Sequence, residues 1–115
     1  MTSLAAAIAQ AADQVRAANH SSMRGPLALG EAYDVVGDLH DLAQRLPRLV
    51  DFLDRSVQRA DAREHFDDRG TDPGRAISAA LGRLDDARFG ATELADHLTF
   101  VHNELGHLGR HTPED

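Results

Sequence analysis

Apolar residues recur at helical spacing in two long stretches of this chain, and a short polar break separates the two. The first stretch runs from Val35 to Val57, and the second runs from Ile77 to Leu108. Alternating steps of four and three place such residues along one face of an α-helix. No stretch alternates apolar and polar residues in the way that is typical of a β-strand. The pattern therefore predicts an all-α protein.

The chain begins with a short amphipathic segment that predicts a first helix over residues 3–19. Thr2 or Ser3 can serve as its N-cap, because a hydroxyl oxygen accepts a hydrogen bond from the first free N–H groups. The segment 20–25 is polar and contains glycine, so it predicts a linker. Proline suits the first turn of a helix, and Pro26 therefore marks the predicted start of the second helix.

The second helix is predicted over residues 26–66 and carries a seam with heptad spacing. Pro47 removes one backbone hydrogen bond and clashes with the preceding turn. Because the apolar spacing continues past it, we expect a kink at Pro47 and not a break. The predicted seam consists of Val35, Leu39, Leu42, Leu46, Leu49 and Leu53.

The third helix is predicted over residues 73–110. Asp72 is an N-cap residue and Pro73 suits the first helical position, so this start is the sharpest local signal in the chain. Folding about the polar break 67–71 makes the two long helices an antiparallel hairpin within a single domain, 1–115. The apolar face of the third helix consists of Ile77, Leu81, Leu84, Ala87, Ala91, Leu94, Leu98, Val101, Leu105 and Leu108.

The second helix has an apolar stripe wider than its predicted seam. Tyr33, Val36, Val50, Phe52 and Val57 lie partly outside the seam line and are the candidate interaction residues. One neighbouring helix cannot cover both edges of such a stripe. Either the first helix packs there, or a homodimer or another protein partner does. Many of the apolar residues are alanines and only 4% of the chain is aromatic, so we expect dimerisation to complete a bundle.

The charge and composition exclude several classes of function. The formal net charge is −7 and the chain has no lysine, which disfavours binding to nucleic acid. The absence of cysteine excludes disulfides, thiolate catalysis and cysteine-based metal sites. The N-terminal segment lacks the basic region of a signal peptide, and no run of about 20 apolar residues predicts a membrane span. We expect a cytoplasmic protein that does not contact a membrane.

Histidine and acidic residues form the one cluster that could carry chemistry. An antiparallel hairpin brings the histidine-rich end of the third helix alongside the acidic start of the second, so Asp38 is expected near His102 and Asp41 near His97. Imidazole and carboxylate groups bind zinc or iron, and the spacing Glu-x-x-His occurs in di-iron bundles. The candidate ligands are His97, His102, Glu104, His107, His111, Asp38 and Asp41.

That cluster has two other interpretations. Histidines beside carboxylates titrate near neutral pH, so the cluster could act as a pH-sensitive clasp between the two helices. Alternatively, it is a solvated flank of ordinary ion pairs, each stabilising by about 0.3–0.5 kcal/mol. We expect the solvated flank, with no cofactor.

Leucine and proline positions after Leu39 form a longer motif. Its residues are Arg45-Leu46-Pro47, Leu49 and Leu53, then Asp72-Pro73 and an alanine-leucine ladder that ends at Val101-His102. This motif resembles small helical proteins that are common in actinobacteria and often encoded near mobile elements. The resemblance implies a helical accessory protein and transfers no activity. The chain is also similar in length to the secreted Trp-x-Gly helical hairpins, although it contains no tryptophan.

Together these observations predict a non-enzymatic interaction or regulatory module that self-associates, with no catalytic residues. The alternative is a metal-binding helical bundle that uses the histidine-rich end of the third helix. Two minor alternatives are an acidic inhibitor that imitates nucleic acid and a secreted hairpin of the Trp-x-Gly type.

Overall fold

The computed structural model describes residues 3–22 and 24–111, and the regular elements in these ranges are helical. The helices are α1 (Leu4–Ser22), α2 (Leu29–Gln58) and α3 (Pro73–Gly106), with a short 3-10 turn at Ala62–Glu64. α2 and α3 pack against each other as an antiparallel hairpin. The predicted all-α class, with a short N-terminal helix before a long hairpin, is confirmed. None of the described helices has the length and apolarity needed to cross a membrane.

The starts of α1 and α3 follow the predicted capping chemistry. The carboxylate of Asp72 accepts a hydrogen bond of 2.9 Å from the backbone N–H of Gly74, while Pro73 occupies the first helical position. At α1, the hydroxyl of Ser3 accepts a hydrogen bond of 3.1 Å from the N–H of Ala6. Thr2, the other candidate cap, lies outside the described residues.

The linker between α1 and α2 differs from its prediction at both ends. α1 continues to Ser22, so the first residues of the predicted linker form one more turn of the helix. α2 begins at Leu29 and not at Pro26, since Ala28 is extended, with φ −65° and ψ 153°. Gly25 has φ 128°, a conformation that only glycine adopts readily, and it lets the chain leave α1.

The predicted end of the second helix is also corrected. α2 ends at Gln58, eight residues before the predicted 66, and the 3-10 turn follows. The carboxylate of Asp61 accepts a hydrogen bond of 2.9 Å from the N–H of Arg63, which favours this turn over further α-helix. α3 likewise ends at Gly106, before the predicted 110. Pro47 lies inside α2, which continues past it as expected.

The contact between α2 and α3 follows two regular lines of seam residues. The least exposed residues are Ala43 and Ala95, at 0% and 7%. Apart from Arg88, every residue along both lines is at least half-buried. On α2 the line consists of Val36, His40, Ala43, Pro47, Val50, Asp54 and Val57. On α3 it consists of Ile77, Leu81, Leu84, Arg88, Ala91, Ala95, Leu98, His102 and Leu105.

These lines correct the predicted seam by one residue on α2. Val35, Leu39 and Leu42 each lie one position before a seam residue and stay 40–52% exposed. The third helix shows the same shift in part, because Leu94 and Val101 are exposed while Ala95 and His102 face α2. Small side chains explain the choice, since alanines let two helix backbones approach more closely than leucines do.

Candidate interaction surface

A compact cluster joins the open end of the hairpin, where α2 begins and α3 ends. The rings of Tyr33 and His102 are stacked, with centroids 4.2 Å apart and planes 18° apart. Gly37 makes room for the imidazole, because a Cβ atom added there would lie 3.0 Å from His102 Nε2. A Cβ atom on Gly106 would lie 3.2 Å from the ring of Tyr33. Two glycines therefore allow two rings to enter the contact between the helices.

Two further polar contacts cross the hairpin. His40 Nε2 and Thr99 Oγ1 form a hydrogen bond of 2.7 Å. The guanidinium of Arg88 donates a hydrogen bond of 3.3 Å to Asp51 and also pairs with Asp85 on its own helix. Asp85 and then Asp51 raise the pKa of Arg88 above its ordinary value. Both contacts are solvent-accessible, so each contributes modestly to stability.

All of these contacts share one flank of the hairpin. Gly37, Asp51, Thr99 and Gly106 each lie one position after a seam residue that is itself half-buried. In an antiparallel pair of helices, such positions on the two helices meet on the same side. Positions one before a seam residue meet on the opposite side. The hairpin thus has a polar flank, where polar contacts join the two helices, and a second flank of different composition.

The second flank is apolar, and we call it the leucine face. Its α2 residues are Val35, Leu39, Leu42, Leu46, Leu49 and Leu53, its α3 residues are Leu94 and Val101, and Leu108 follows just after α3 ends. Seven of the nine are 39–59% exposed, and Leu46 and Leu49 are half-buried. The face therefore continues the apolar seam outward on the flank that none of the described polar contacts crosses.

The leucine face is unevenly built along its length. Its large residues near the end of α3 are Leu94, Val101 and Leu108, with His97 and Glu104 between them. The equivalent positions nearer the turn are Ala80 and Ala87. The contact between Tyr33 and His102 shows that this half of α3 lies beside the first half of α2. The apolar surface is therefore widest next to the linker that leads to α1.

The candidate interaction residues separate into two groups. Val36, Val50 and Val57 are half-buried on the α2 seam, so they contribute to the hairpin itself and not to a free edge. This placement corrects their assignment, because the residues of α2 that contact α3 lie one position after those predicted. Phe52 is 48% exposed, and Tyr33 is partly exposed while stacked on His102. The exposed edge of α2 is the predicted seam.

The candidate metal ligands are only partly brought together. His102 is half-buried against Tyr33, and it does not pair with Asp38. Asp41 bonds Gln44 and Arg45 on its own helix, and these hydrogen bonds lower the pKa of Asp41 below its ordinary value. The other five candidates are exposed, namely Asp38, His97, Glu104, His107 and His111. Within residues 3–22 and 24–111, no group of three His, Cys, Asp or Glu side chains could hold a metal ion.

Two clefts lie at opposite ends of the hairpin. The cleft at the open end has a volume of about 1150 Å³, and Leu29, Tyr33, Leu105 and Leu108 form its apolar part. The cleft at the turn has a volume of about 670 Å³, and Phe66 and Ile77 are among its lining residues. Neither cleft joins a nucleophile to a base or an oriented acid, which is the arrangement that covalent catalysis requires.

Comparison with known proteins adds no relative to these observations. The chain matches no protein family model, no curated protein and no solved structure.

Proposed function

We propose that this chain is a non-enzymatic protein-interaction module that self-associates through its leucine face. The observation that supports the proposal is the position of that face. It is an apolar surface beside the hairpin seam that is continuous along α2 and interrupted on α3 by His97 and Glu104. The polar contacts that cross the described hairpin lie on the other flank. Contiguous exposed apolar surface is typical of protein-binding sites, whereas single exposed apolar residues are common on any protein.

The energetics favour covering this face. Fully burying a leucine side chain stabilises by about 1.5–3 kcal/mol relative to leaving it exposed. Seven residues of the face keep 39–59% of their surface in contact with water, so each has a substantial part of that gain still available. The exposed phenylalanines Phe66, Phe89 and Phe100 do not extend the face. Phe66 lies outside the helices, Phe89 is on the polar flank, and Phe100 is two positions away from the nearest seam residues.

We propose a binding role and not a catalytic one because the histidines and acidic residues near the hairpin seam mainly contact other residues of the chain or lie exposed. His40 and His102 are occupied by contacts across the hairpin. The acidic residues near them are exposed or bonded to neighbours on their own helix. These groups position the two helices against each other.

Sedimentation equilibrium over a wide concentration range tests self-association. The unchanged protein is expected to be dimeric or larger, and Leu42→Asp is expected to weaken association at least about tenfold, which corresponds to about 1.4 kcal/mol. The reason is that a carboxylate on the leucine face would lose its water on association. Gln44→Asp, which adds the same charge to an exposed position of α2 near the polar flank, is the matched control and should leave association unchanged.

Two outcomes would overturn the proposal. A protein that stays monomeric at every concentration does not self-associate, and a Leu42→Asp variant that associates as before does not use the leucine face. Circular dichroism of each variant verifies that the helices remain formed. A native mass spectrum of the untagged protein distinguishes the alternative function, because one or two metal ions per chain would support the metal-binding bundle.

A further inference from the structure

α1 has an apolar line of its own that the rest of the described chain leaves uncovered. The line has heptad spacing and consists of Leu4, Ile8, Ala11, Val15 and Ala18. Leu4, Ile8 and Val15 are 44–46% exposed, and α1 packs against neither α2 nor α3. In proteins most of the stability of a helix comes from packing of its apolar face, and α1, with 19 residues, has no such packing on the described hairpin. The apolar line of α1 therefore requires a partner surface.

The chain exposes far more surface than a monomer of its size needs to. Its accessible surface is 9633 Å², whereas a compact monomer of 12.5 kDa exposes about 6200 Å². The radius of gyration is 20.0 Å, against about 13 Å for a compact chain of 115 residues. The excess of roughly 3400 Å² is more than the ~800 Å² that each partner contributes to a standard protein interface.

α1 and the leucine face match in length and position. The apolar line of α1 spans fourteen residue steps, from Leu4 to Ala18, which is about 21 Å of helix. The large residues of the leucine face near the end of α3 also span fourteen residue steps, from Leu94 to Leu108, which lies two residues after the helix ends. From Leu94 toward the turn, the equivalent positions on α3 are alanines. A helix of the length of α1 that starts at the open end would stop at about this point.

α1 stands away from the face of its own hairpin. The molecule is 77 Å long, whereas the 34 residues of α3 account for about 51 Å. α1 is about 28 Å long, makes no contact with α2 or α3, and is joined to the open end of the hairpin by the short linker before Leu29. Two copies that meet at their open ends, related by a two-fold axis, would each direct α1 along the leucine face of the other.

We propose that the occupant of the leucine face is α1 of a second copy, exchanged reciprocally in a dimer; this rests on the proposed self-association. Exchange of an identical element between copies is a low-cost route to a dimer. In this arrangement α1 runs antiparallel to the partner's α2. Ser22 then lies near the open end, and Ile8 lies level with Leu42.

Disulfide crosslinking between copies tests the exchange, because the chain contains no cysteine of its own. Ile8→Cys and Leu42→Cys are made as separate full-length variants, mixed in equal amounts, unfolded and refolded together, and oxidised. A crosslinked dimer that joins one variant to the other is expected on a non-reducing gel. The control mixture pairs Ile8→Cys with Gln44→Cys, on the other side of α2, and the crosslink should be lost.

A double variant that carries both cysteines distinguishes exchange from folding back. If α1 is exchanged, the double variant forms covalent dimers. If it forms only a crosslink within one chain, α1 covers its own hairpin and the exchange is overturned. Dimers in sedimentation that show no crosslink between positions 8 and 42 would overturn the exchange and leave self-association standing. A monomer without any crosslink would overturn both proposals.

Discussion

Asp67 organises the turn between α2 and α3. Its carboxylate accepts hydrogen bonds of 2.7–2.9 Å from the side chain and the backbone N–H of Arg69, and one of 2.9 Å from the hydroxyl of Thr71. The side chain of Arg69 is the largest cause that lowers the pKa of Asp67 well below its ordinary value of 3.8. Since folding lowers this pKa, the ionised carboxylate stabilises the folded chain above about pH 4, and that stabilisation is lost as the pH falls further.

Asp67→Asn is therefore expected to lower the urea midpoint of unfolding at neutral pH and to have a shrinking effect below about pH 4. The amide keeps the shape of the side chain but removes the charge that Arg69 recognises. Urea titrations at several pH values measure the difference. Asp68→Asn changes an exposed neighbour and should shift the midpoint little. A pH-independent loss in Asp67→Asn would show that the charge is not what matters.

Gly37 tests how tightly the two rings are held. Replacing a glycine inside a helix by alanine stabilises by about 1 kcal/mol when space allows. Gly82→Ala has open space around its new Cβ atom and should gain this amount, measured by urea unfolding. Gly37→Ala meets His102 at 3.0 Å and should show no gain or a net loss. Adding His102→Ala should restore the gain, and its failure to do so would locate the conflict elsewhere.

Single residues were predictable from sequence where the chemistry is local. The capping role of Asp72 and the start of α3 at Pro73 follow from two adjacent side chains. The role of Asp67 was missed, although an aspartate two residues before an arginine in a turn is a signal for such a bond. The stacking of Tyr33 on His102 could not be predicted, because it depends on the relative height of two helices.

Pro47 is the element-scale exception inside α2. It lacks an N–H to donate to the carbonyl of Ala43, one turn earlier, and its ring crowds that turn. Pro47→Ala is expected to raise the free energy of unfolding by about 2 kcal/mol, which is less than the ~3 kcal/mol cost of an interior proline because some ring packing on α3 is lost. Thermal and urea unfolding measure the change. An unchanged or lower stability would mean that packing of the proline ring at the seam outweighs its cost to the helix.

The helices and their pairing were predictable, whereas the face of each helix that turns inward was not. Heptad spacing identified both apolar stripes, but each stripe is wide enough to offer two parallel lines. Val35 and Val36 are equally apolar, and nothing along the chain states which one faces α3. The choice depends on close approach at Ala43, Ala91 and Ala95, which is a property of the pair of helices.

At the scale of the whole molecule, the chain has too little neighbouring structure for its apolar surface. Only Ala43 and Ala95 are buried among the described residues, and neither is large. Three amphipathic helices give only one pair that packs, since α1 remains apart. The sequence indicated this shortage through its alanine content, but the position of α1 could not be read from a linker pattern alone.

The polar flank has a consequence for how the hairpin selects one arrangement. Turning α2 about its own axis by one residue, about 100°, would place the α2 residues of the leucine face against α3 and expose the present seam residues of α2. In that alternative, Asp51 would move away from Arg88 and His40 away from Thr99. Each contact contributes little free energy, yet together they oppose this rotation of α2. Together with the close approach at the alanines, they favour the arrangement that leaves the leucine face in water and so free to bind.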